Sequence, residues 1–224
     1  MNITSGQVMQ ARLPSGLDTF SFHKTPVLVV ENFWSAEERA QFREAMERAN
    51  WNQLQDSSYL RQDFPNSGNW AKAEIAPPQG RLLLSRLELP CIQQYVESFP
   101  NIIRRHLGFS YYSYGVGDCL LLHDDTDQGR PVGEKPPPLR RLALVSYFHE
   151  EWECDWGGEL MLYSATGKLQ GGKPDLVITH CIHPKPGSLV LFTVPRFHRV
   201  SRVDQTAGDH KRLSIAGWFM TEHA

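Results

Sequence analysis

His123 and Asp125 flank Asp124 at the end of the apolar run 118–123. In a strand, residues i and i+2 point to the same face, so an imidazole nitrogen and a carboxylate oxygen can converge on one point. His198 follows the apolar run at 187–194 and opens another at 198–203, which makes it the best source of a third ligand. Two histidines and one carboxylate on one face of an ion leave open positions opposite. That is the ligand set of non-haem Fe(II) oxygen chemistry, with room for a chelating cosubstrate and dioxygen. An H-x-D pair recurs by chance, and a capped strand end with a solvated Asp pair is the plainer reading of those residues alone.

A second group is expected beside the first. Residues 204–208 (DQTAG) carry a turn signal and are taken as a hairpin joining 198–203 to 211–219. Centred near Gln205, that hairpin sets His198 opposite Arg212, and Ser214 shares the same face. An Arg inside a barrel is costly unless it meets an anion, and its planar fork suits a carboxylate. A register slip of one residue would turn Arg212 outward as an ordinary surface charge.

The elements that must position these residues fall into two halves. The run 26–33 (PVLVVENF) reads as a strand, and Ser35 with Glu38 forms a capping box for a helix reaching about Asn50. A second helical segment is expected from Cys91 to about His106, with Pro100 a point where it can kink or split. From Phe109 onward, eight short β-rich runs follow one another: 109–114, 118–123, 141–148, 158–163, 176–182, 187–194, 198–203 and 211–219. Helices first and strands after predict an α+β chain, mainly β, built on a sandwich or barrel.

Composition excludes several classes. The 224 residues, 41% hydrophobic and 21% charged, suffice for one large domain without disulfides or structural metals. With 23 Lys and Arg against 25 Asp and Glu, the formal charge is −2, which weakens the case for a nucleic-acid binder. The first twenty residues carry no apolar signal-like region, and no apolar run approaches a membrane span. Cys91, Cys119, Cys154 and Cys181 form no C-x-x-C pair and read as buried reduced thiols of a cytoplasmic protein.

With these residues assembled, the second half resembles the Fe(II)- and 2-oxoglutarate-dependent dioxygenase superfamily, in its prolyl-4-hydroxylase-like branch. The matching stretches are Tyr114 to Asp125 (YGVGDCLLLHDD), Arg141 to Phe148 (RLALVSYF) with Trp152, and Trp156 to Tyr163 (WGGELMLY). They continue with Pro186 to Phe192 (PGSLVLF), Phe197 to Val200 (FHRV) and Arg212 to Phe219 (RLSIAGWF). The resemblance implies a double-stranded β-helix, or jelly-roll barrel, with N-terminal buttressing helices. It implies one domain over 1–224, with 1–108 as support and 109–219 as catalytic core.

It also implies His123, Asp125 and His198 as ligands to Fe(II), and 2-oxoglutarate and dioxygen as cosubstrates, with ascorbate a candidate reductant. Arg212 matches the residue that pairs with the far carboxylate of 2-oxoglutarate, Ser214 the hydroxyl that assists it, and Tyr114 a cosubstrate-contacting aromatic. No catalytic residue is expected beyond the metal site. Ser146 departs from the pattern, standing near a position where some members carry a cosubstrate-binding Tyr, so Tyr114 or Tyr147 is left to supply that contact. The spacing from His198 to Arg212 is also longer than usual in the branch, and reads as a longer hairpin.

The implied activity is hydroxylation of a C–H bond in a protein side chain, prolyl in type, or in a small molecule, releasing succinate and carbon dioxide. The alternatives are an inactive β-helix that binds or senses, and a cupin-type metalloenzyme that does not use 2-oxoglutarate. The extra terminal-strand arginines of the nucleic-acid demethylases are absent, so nucleic acid is not expected as a partner, nor is a membrane.

Residues 126–139 form a Pro- and Gly-rich loop after the ligand pair, either a substrate lid or a connector, with Asp127 and Arg130 as candidate substrate contacts. Trp152, Trp156, Trp218 and Phe219 read as core packing. His149, His180 and His183 lie in or beside strands, where one could support the site. Arg196, Arg199, Arg202 and Lys211 read as a solvated basic rim.

Overall fold

Helix α1, Ala36–Glu47, starts where the chemistry of its first turn dictates. Ser35 Oγ accepts from Glu38 N, and Glu38 returns a carboxylate to the Ser35 N–H, which satisfies two otherwise orphaned donors. In this computed structural model the described residues are 25–103, 108–126, 138–167 and 174–222. The expected loop contacts Asp127 and Arg130 lie outside them.

Among the described residues three more α-helices follow: α2 Ser58–Asp63, α3 Pro77–Leu87 and α4 Pro90–Glu97. Both α3 and α4 carry Pro in the first turn, where its missing N–H costs nothing. The helix expected to run from Cys91 to about His106 ends at Glu97 with Ser98 as its C-cap, before Pro100, and Ile102–Ile103 form strand β4 instead. The residue before a proline is driven out of the helical region, so the segment splits rather than kinks.

The strands are β1 Val27–Val30, β2 Asn52–Gln53, β3 Ala71–Glu74, the β4 pair, β5 Ser110–Tyr114, β6 Leu120–His123, β7 Leu139–Tyr147, β8 Leu160–Ala165, β9 Leu176–Ile182, β10 Leu189–Thr193, β11 His198–Val200 and β12 Arg212–Thr221. All named pairings are antiparallel. The larger sheet runs β1-β10-β7-β12-β5-β3-β2, with β4 also on β12; the smaller runs β6-β11-β8-β9. Each of the eight β-rich runs expected from Phe109 onward overlaps one of these strands, with β7, β8 and β12 reaching about two residues beyond their runs. The short β2 and β3 and the helices α2 and α3 had no signal strong enough to assign.

The expected hairpin between β11 and β12 does not exist. The two strands belong to different sheets, and residues 204–208 instead carry a 3-10 turn, Gln205–Ala207, on a crossover between them. A polar Gly-containing stretch satisfies a sheet-to-sheet crossover as well as a hairpin, so turn chemistry alone could not separate them.

Strand alternation sorts the larger sheet into two faces. Outward, Leu142, Leu144, Leu189, Leu191 and Ile215 join Phe33, Trp34, Phe42, Met46, Leu83 and Tyr95 in one core shared with the helices. Full burial of each large apolar side chain there contributes roughly 1.5–3 kcal/mol. Inward, Ala143, Tyr147, Val190 and Phe192 meet Leu160 and Leu162 from the smaller sheet. A third, aromatic cluster of Trp70, Tyr114, Trp152 and Trp156 closes one end.

Among the cysteines only Cys119 is buried. Cys91 is half-buried, Cys154 and Cys181 are exposed, and all four are free thiols. The burial expected for Cys154 and Cys181 fails because one lies on a surface 3-10 turn and the other on β9, at the edge of the smaller sheet. No helix among the described residues is long and apolar enough to cross a membrane.

Candidate metal centre and cosubstrate pocket

His123 ends β6 and His198 begins β11, and they are direct cross-strand partners. Their rings lie 4.1 Å apart between centroids. Asp125 reaches them by a route other than strand alternation: β6 stops at His123, and Asp125 sits in the left-handed region at φ 61°. Asp tolerates that conformation better than most residues. The turn brings its carboxylate back, with Oδ1 3.3 Å from His123 Nε2 and Oδ2 3.3 Å from His198 Nε2.

The tautomers follow from the other ring edges. His123 Nδ1 is 2.7 Å from the Leu121 carbonyl, and His198 Nδ1 is 2.7 Å from the Arg196 carbonyl. A carbonyl only accepts, so each Nδ1 carries the hydrogen, and a neutral ring then aims its Nε2 lone pair at the carboxylate. One ligand atom from each residue falls in a group spanning no more than 4.8 Å. Lone pairs converging in this way are satisfied together by a cation, so the donor set fits a divalent metal with two imidazoles and one carboxylate. Burial by itself raises the Asp125 carboxyl, but hydrogen bonds and charge from the two imidazole edges, when their Nε2 atoms carry protons in place of an ion, outweigh it and hold the group well below the usual carboxylate range. Trp218 Nε1 donates to Asp125 Oδ2 at 2.6 Å and fixes the carboxylate further.

Trp218 packs on the inner core cluster as expected, and it also has this second role at the cavity. Positions 212, 214, 216 and 218 alternate onto the inner face of β12, and all four line one cavity of about 860 Å³ together with His123, Asp125 and His198. That even spacing was the signal that would have found Trp218. Trp152, Trp156 and Phe219 are core residues as expected.

Arg212 is buried at 2% exposure, and Ser214 is buried beside it. Arg212 Nε donates to the Gly158 carbonyl at 2.7 Å, Nη1 to Ser214 Oγ at 3.4 Å and Nη2 to Tyr147 Oη at 3.4 Å. Its guanidinium also lies 5.3 Å from the Tyr114 ring centre and 4.9 Å from that of Tyr147. Among the described residues no carboxylate lies within ion-pair distance of it. A buried guanidinium with only neutral partners is an anion site in waiting. Burial pushes the Tyr114 and Tyr147 phenols up, against the partial opposition of Arg212, so both keep their protons.

Arg212 and Ser214 therefore face the metal group as expected, but for a different reason. β12 presents its inner face across the space between two sheets rather than beside β11. Tyr114 pairs with Arg212 in register, and Tyr147 with Ser214. Ser146, the departure from the family pattern, lies on the other face of β7. Ser146 faces outward, accepting from Trp34 Nε1 and donating to the Ser188 carbonyl, both at 2.7 Å, while Tyr147 takes the inward position.

Phe64 stands edge-on to His123, at 5.6 Å between ring centroids, and Trp70 stacks on Tyr114 at 5.8 Å. Both come from the 52–80 stretch, where no pattern marked them. Arg140 reaches the cavity because a bulge in β7 skips Arg141, and its guanidinium stacks 3.8 Å over Trp218. His149 is buried behind Tyr147, whereas His180 is exposed and His183 contacts the Trp152 carbonyl. In the expected basic rim, Arg202 instead ties the Gly117 and Asn66 carbonyls together.

Comparison with known proteins places this geometry. The chain is 34% identical over 131 residues to Prolyl 3-hydroxylase OGFOD1 of Xenopus laevis, covering 57% of this chain and 22% of that one. It is 27% identical over 185 residues to Prolyl 3-hydroxylase sudestada1 of Drosophila melanogaster, covering 79% and 30%. It thus spans less than a third of the length of these relatives. Among solved structures, its fold is similar to a Pseudomonas putida prolyl-4-hydroxylase, with TM-score 0.61, 20% identity, 98% of this chain and 100% of that one. It is also similar to HygX of Streptomyces hygroscopicus, solved with nickel, 2-oxoglutarate and hygromycin B, with TM-score 0.56, 16% identity, 89% and 84%. The family profile of the 2OG-Fe(II) oxygenase superfamily matches residues 109–220, half of the sequence and every residue of the two groups just described, and the chain belongs to that superfamily.

Proposed function

We propose that this protein is an Fe(II)- and 2-oxoglutarate-dependent hydroxylase acting on a C–H bond of a prolyl-type protein side chain. The observation that carries the reading is one cavity holding both the convergent donors of His123, Asp125 and His198 and the uncompensated buried charge of Arg212. When bound, Fe(II) with 2-oxoglutarate and dioxygen supplies the oxidation, inserting oxygen into the substrate C–H bond as the cosubstrate gives succinate and carbon dioxide.

The chain's own part is positioning. His123 and His198 present Nε2 to the ion because their Nδ1 hydrogens are tied to the backbone. Asp125 supplies the charge and Trp218 holds it in place. Arg212 pairs with the distal carboxylate of 2-oxoglutarate, and the hydroxyls of Ser214 and Tyr147 assist. Tyr114, stacked on Trp70, closes the wall beside it and keeps water out. No side chain is asked to act as acid or base, and ascorbate suits the role of external reductant.

The two facing sheets support reading the fold as a double-stranded β-helix, or jelly roll, with the helices as buttress. The core they share supports one catalytic unit over 1–224. The names of the relatives support the prolyl class, and intact donors together with Arg212 speak against an inactive barrel. Four free thiols favour a reducing, cytoplasmic setting.

The test is succinate release on oxygen exposure of protein loaded anaerobically with Fe(II), with and without 2-oxoglutarate. Wild type is expected to release succinate only with the cosubstrate, and His198→Ala to release none. Failure of wild type to bind 2-oxoglutarate, or equal turnover by His198→Ala, overturns the reading.

A further inference from the structure

The shortest contact of Arg212 lies at the back of its fork, away from the hydroxyls of Ser214 and Tyr147. The Nε bond to the Gly158 carbonyl is 2.7 Å, against 3.4 Å for each Nη contact. Guanidinium is planar and rigid, so fixing Nε fixes the plane and direction of both Nη groups. They then meet Ser214 and Tyr147 and stay available to a carboxylate.

The backbone that supplies this carbonyl is unusual. Gly157 and Gly158 are consecutive left-handed residues, at φ 70° and 73°. Only glycine adopts such a pair without strain. The result is two successive carbonyls with separate tasks: Gly157 accepts from Trp152 Nε1 at 2.8 Å, and Gly158 accepts from Arg212 Nε. A Cβ at position 158 would lie 2.8 Å from Arg212 Cδ and 3.4 Å from Trp152 Cζ2. The closest atom belongs to the side chain whose direction matters, so any substitution there pushes on Arg212 itself. The acceptor is neutral as well as fixed, so it orients the guanidinium without cancelling its charge.

We propose that Gly158 is a positioning residue for Arg212, and that its carbonyl sets the protein's preference for a 2-oxo dicarboxylate over a 2-oxo monocarboxylate of equal length. This rests on the cosubstrate role given to Arg212 above. A hydrogen bond to a charged group is worth enough that losing it weakens binding by about tenfold or more. The loss should fall only on ligands that carry the distal carboxylate.

The test is calorimetric titration of the Ni(II)-loaded protein with 2-oxoglutarate and, separately, with 2-oxovalerate, which has a methyl group in place of the distal carboxylate. For Gly158→Ala we expect about a tenfold weaker affinity for 2-oxoglutarate, nearly unchanged affinity for 2-oxovalerate and unchanged Ni(II) binding. Equal losses for both acids, or no loss for either, overturn the positioning role. Wild type that does not discriminate between the acids overturns the cosubstrate reading of Arg212 instead. Trp152→Phe leaves both glycines in place and takes the Nε1 donor from the Gly157 carbonyl along with part of the indole's packing on His149 and Trp156; a packing loss alone would affect both acids alike, so the preference between them decides the matter if Gly158→Ala does not fold. Trp152→Phe should narrow the same preference by a smaller factor, and an unaltered preference counts against the proposal.

Discussion

Trp218 Nε1 donates to Asp125 Oδ2 at 2.6 Å, while Arg140 covers the same indole ring at 3.8 Å. One aromatic side chain thus joins the carboxylate of the metal group to a cation at the cavity wall. Asp125 sits on a left-handed turn beyond the end of β6, so this bond is a further restraint on a carboxylate otherwise met by His123 and His198.

Trp218→Phe keeps an aromatic face for Arg140, though a smaller one, and removes the donor. Metal affinity should fall about tenfold, the usual cost of losing a group that orients a ligand, with little change in thermal unfolding. Titration of the apo protein with Fe(II) under anaerobic conditions measures it. An unchanged affinity would show that the turn alone holds Asp125.

Ser146 and Tyr147 are neighbours with opposite duties, which a paired substitution separates. Ser146→Ala strands the Trp34 N–H in the outer core and should cost about 1–3 kcal/mol of stability, with 2-oxoglutarate affinity unaffected. Tyr147→Phe should leave stability nearly unchanged and weaken 2-oxoglutarate binding severalfold. Denaturant unfolding and cosubstrate titration of both variants check this, and the reverse pattern would exchange their roles.

His149 gives stability a pH dependence of known sign. Burial pushes its pKa down to about 3, below its ordinary 6.5, and the nearby Arg212 and His183 add to this against its bond to the Pro184 carbonyl. The unfolded chain takes up a proton in this range and the folded protein does not. The contribution is therefore whole above pH 6.5 and is lost as pH falls from 6.5 towards 3, at up to about 1.4 kcal/mol per pH unit. Comparing the slope of unfolding free energy between wild type and His149→Gln over this window tests it. The variant's slope should be shallower, and identical slopes would falsify the assignment.

The N-terminal capping box allows a control far from the cavity. Ser35→Ala should cost about 1 kcal/mol and leave metal and cosubstrate binding untouched, as measured by denaturant midpoint and the two titrations. A loss of cosubstrate binding would reveal coupling through the shared core.

Much of this protein is local and therefore legible from residue order. The capping box at Ser35, the strand periods after Phe109 and the H-x-D spacing at 123–125 depend on near neighbours only. Even the inward face of Arg212 and Ser214 was reached, though through a hairpin that is absent. What the sequence could not decide is which sheet a strand joins. DQTAG suits a hairpin or a crossover equally, since a turn's residues report φ and ψ and not the partner beyond. Nor could alternation place Asp125, whose route is a left-handed turn, or Arg140, which a bulge turns inward. The candidate metal donors come from two paired strands and the turn after one of them, and Arg212 and Ser214 from the opposite sheet. Only the tertiary packing of those sheets sets the cavity between them, because it depends on contacts between residues far apart in the chain, such as His123 with His198 and Asp125 with Trp218.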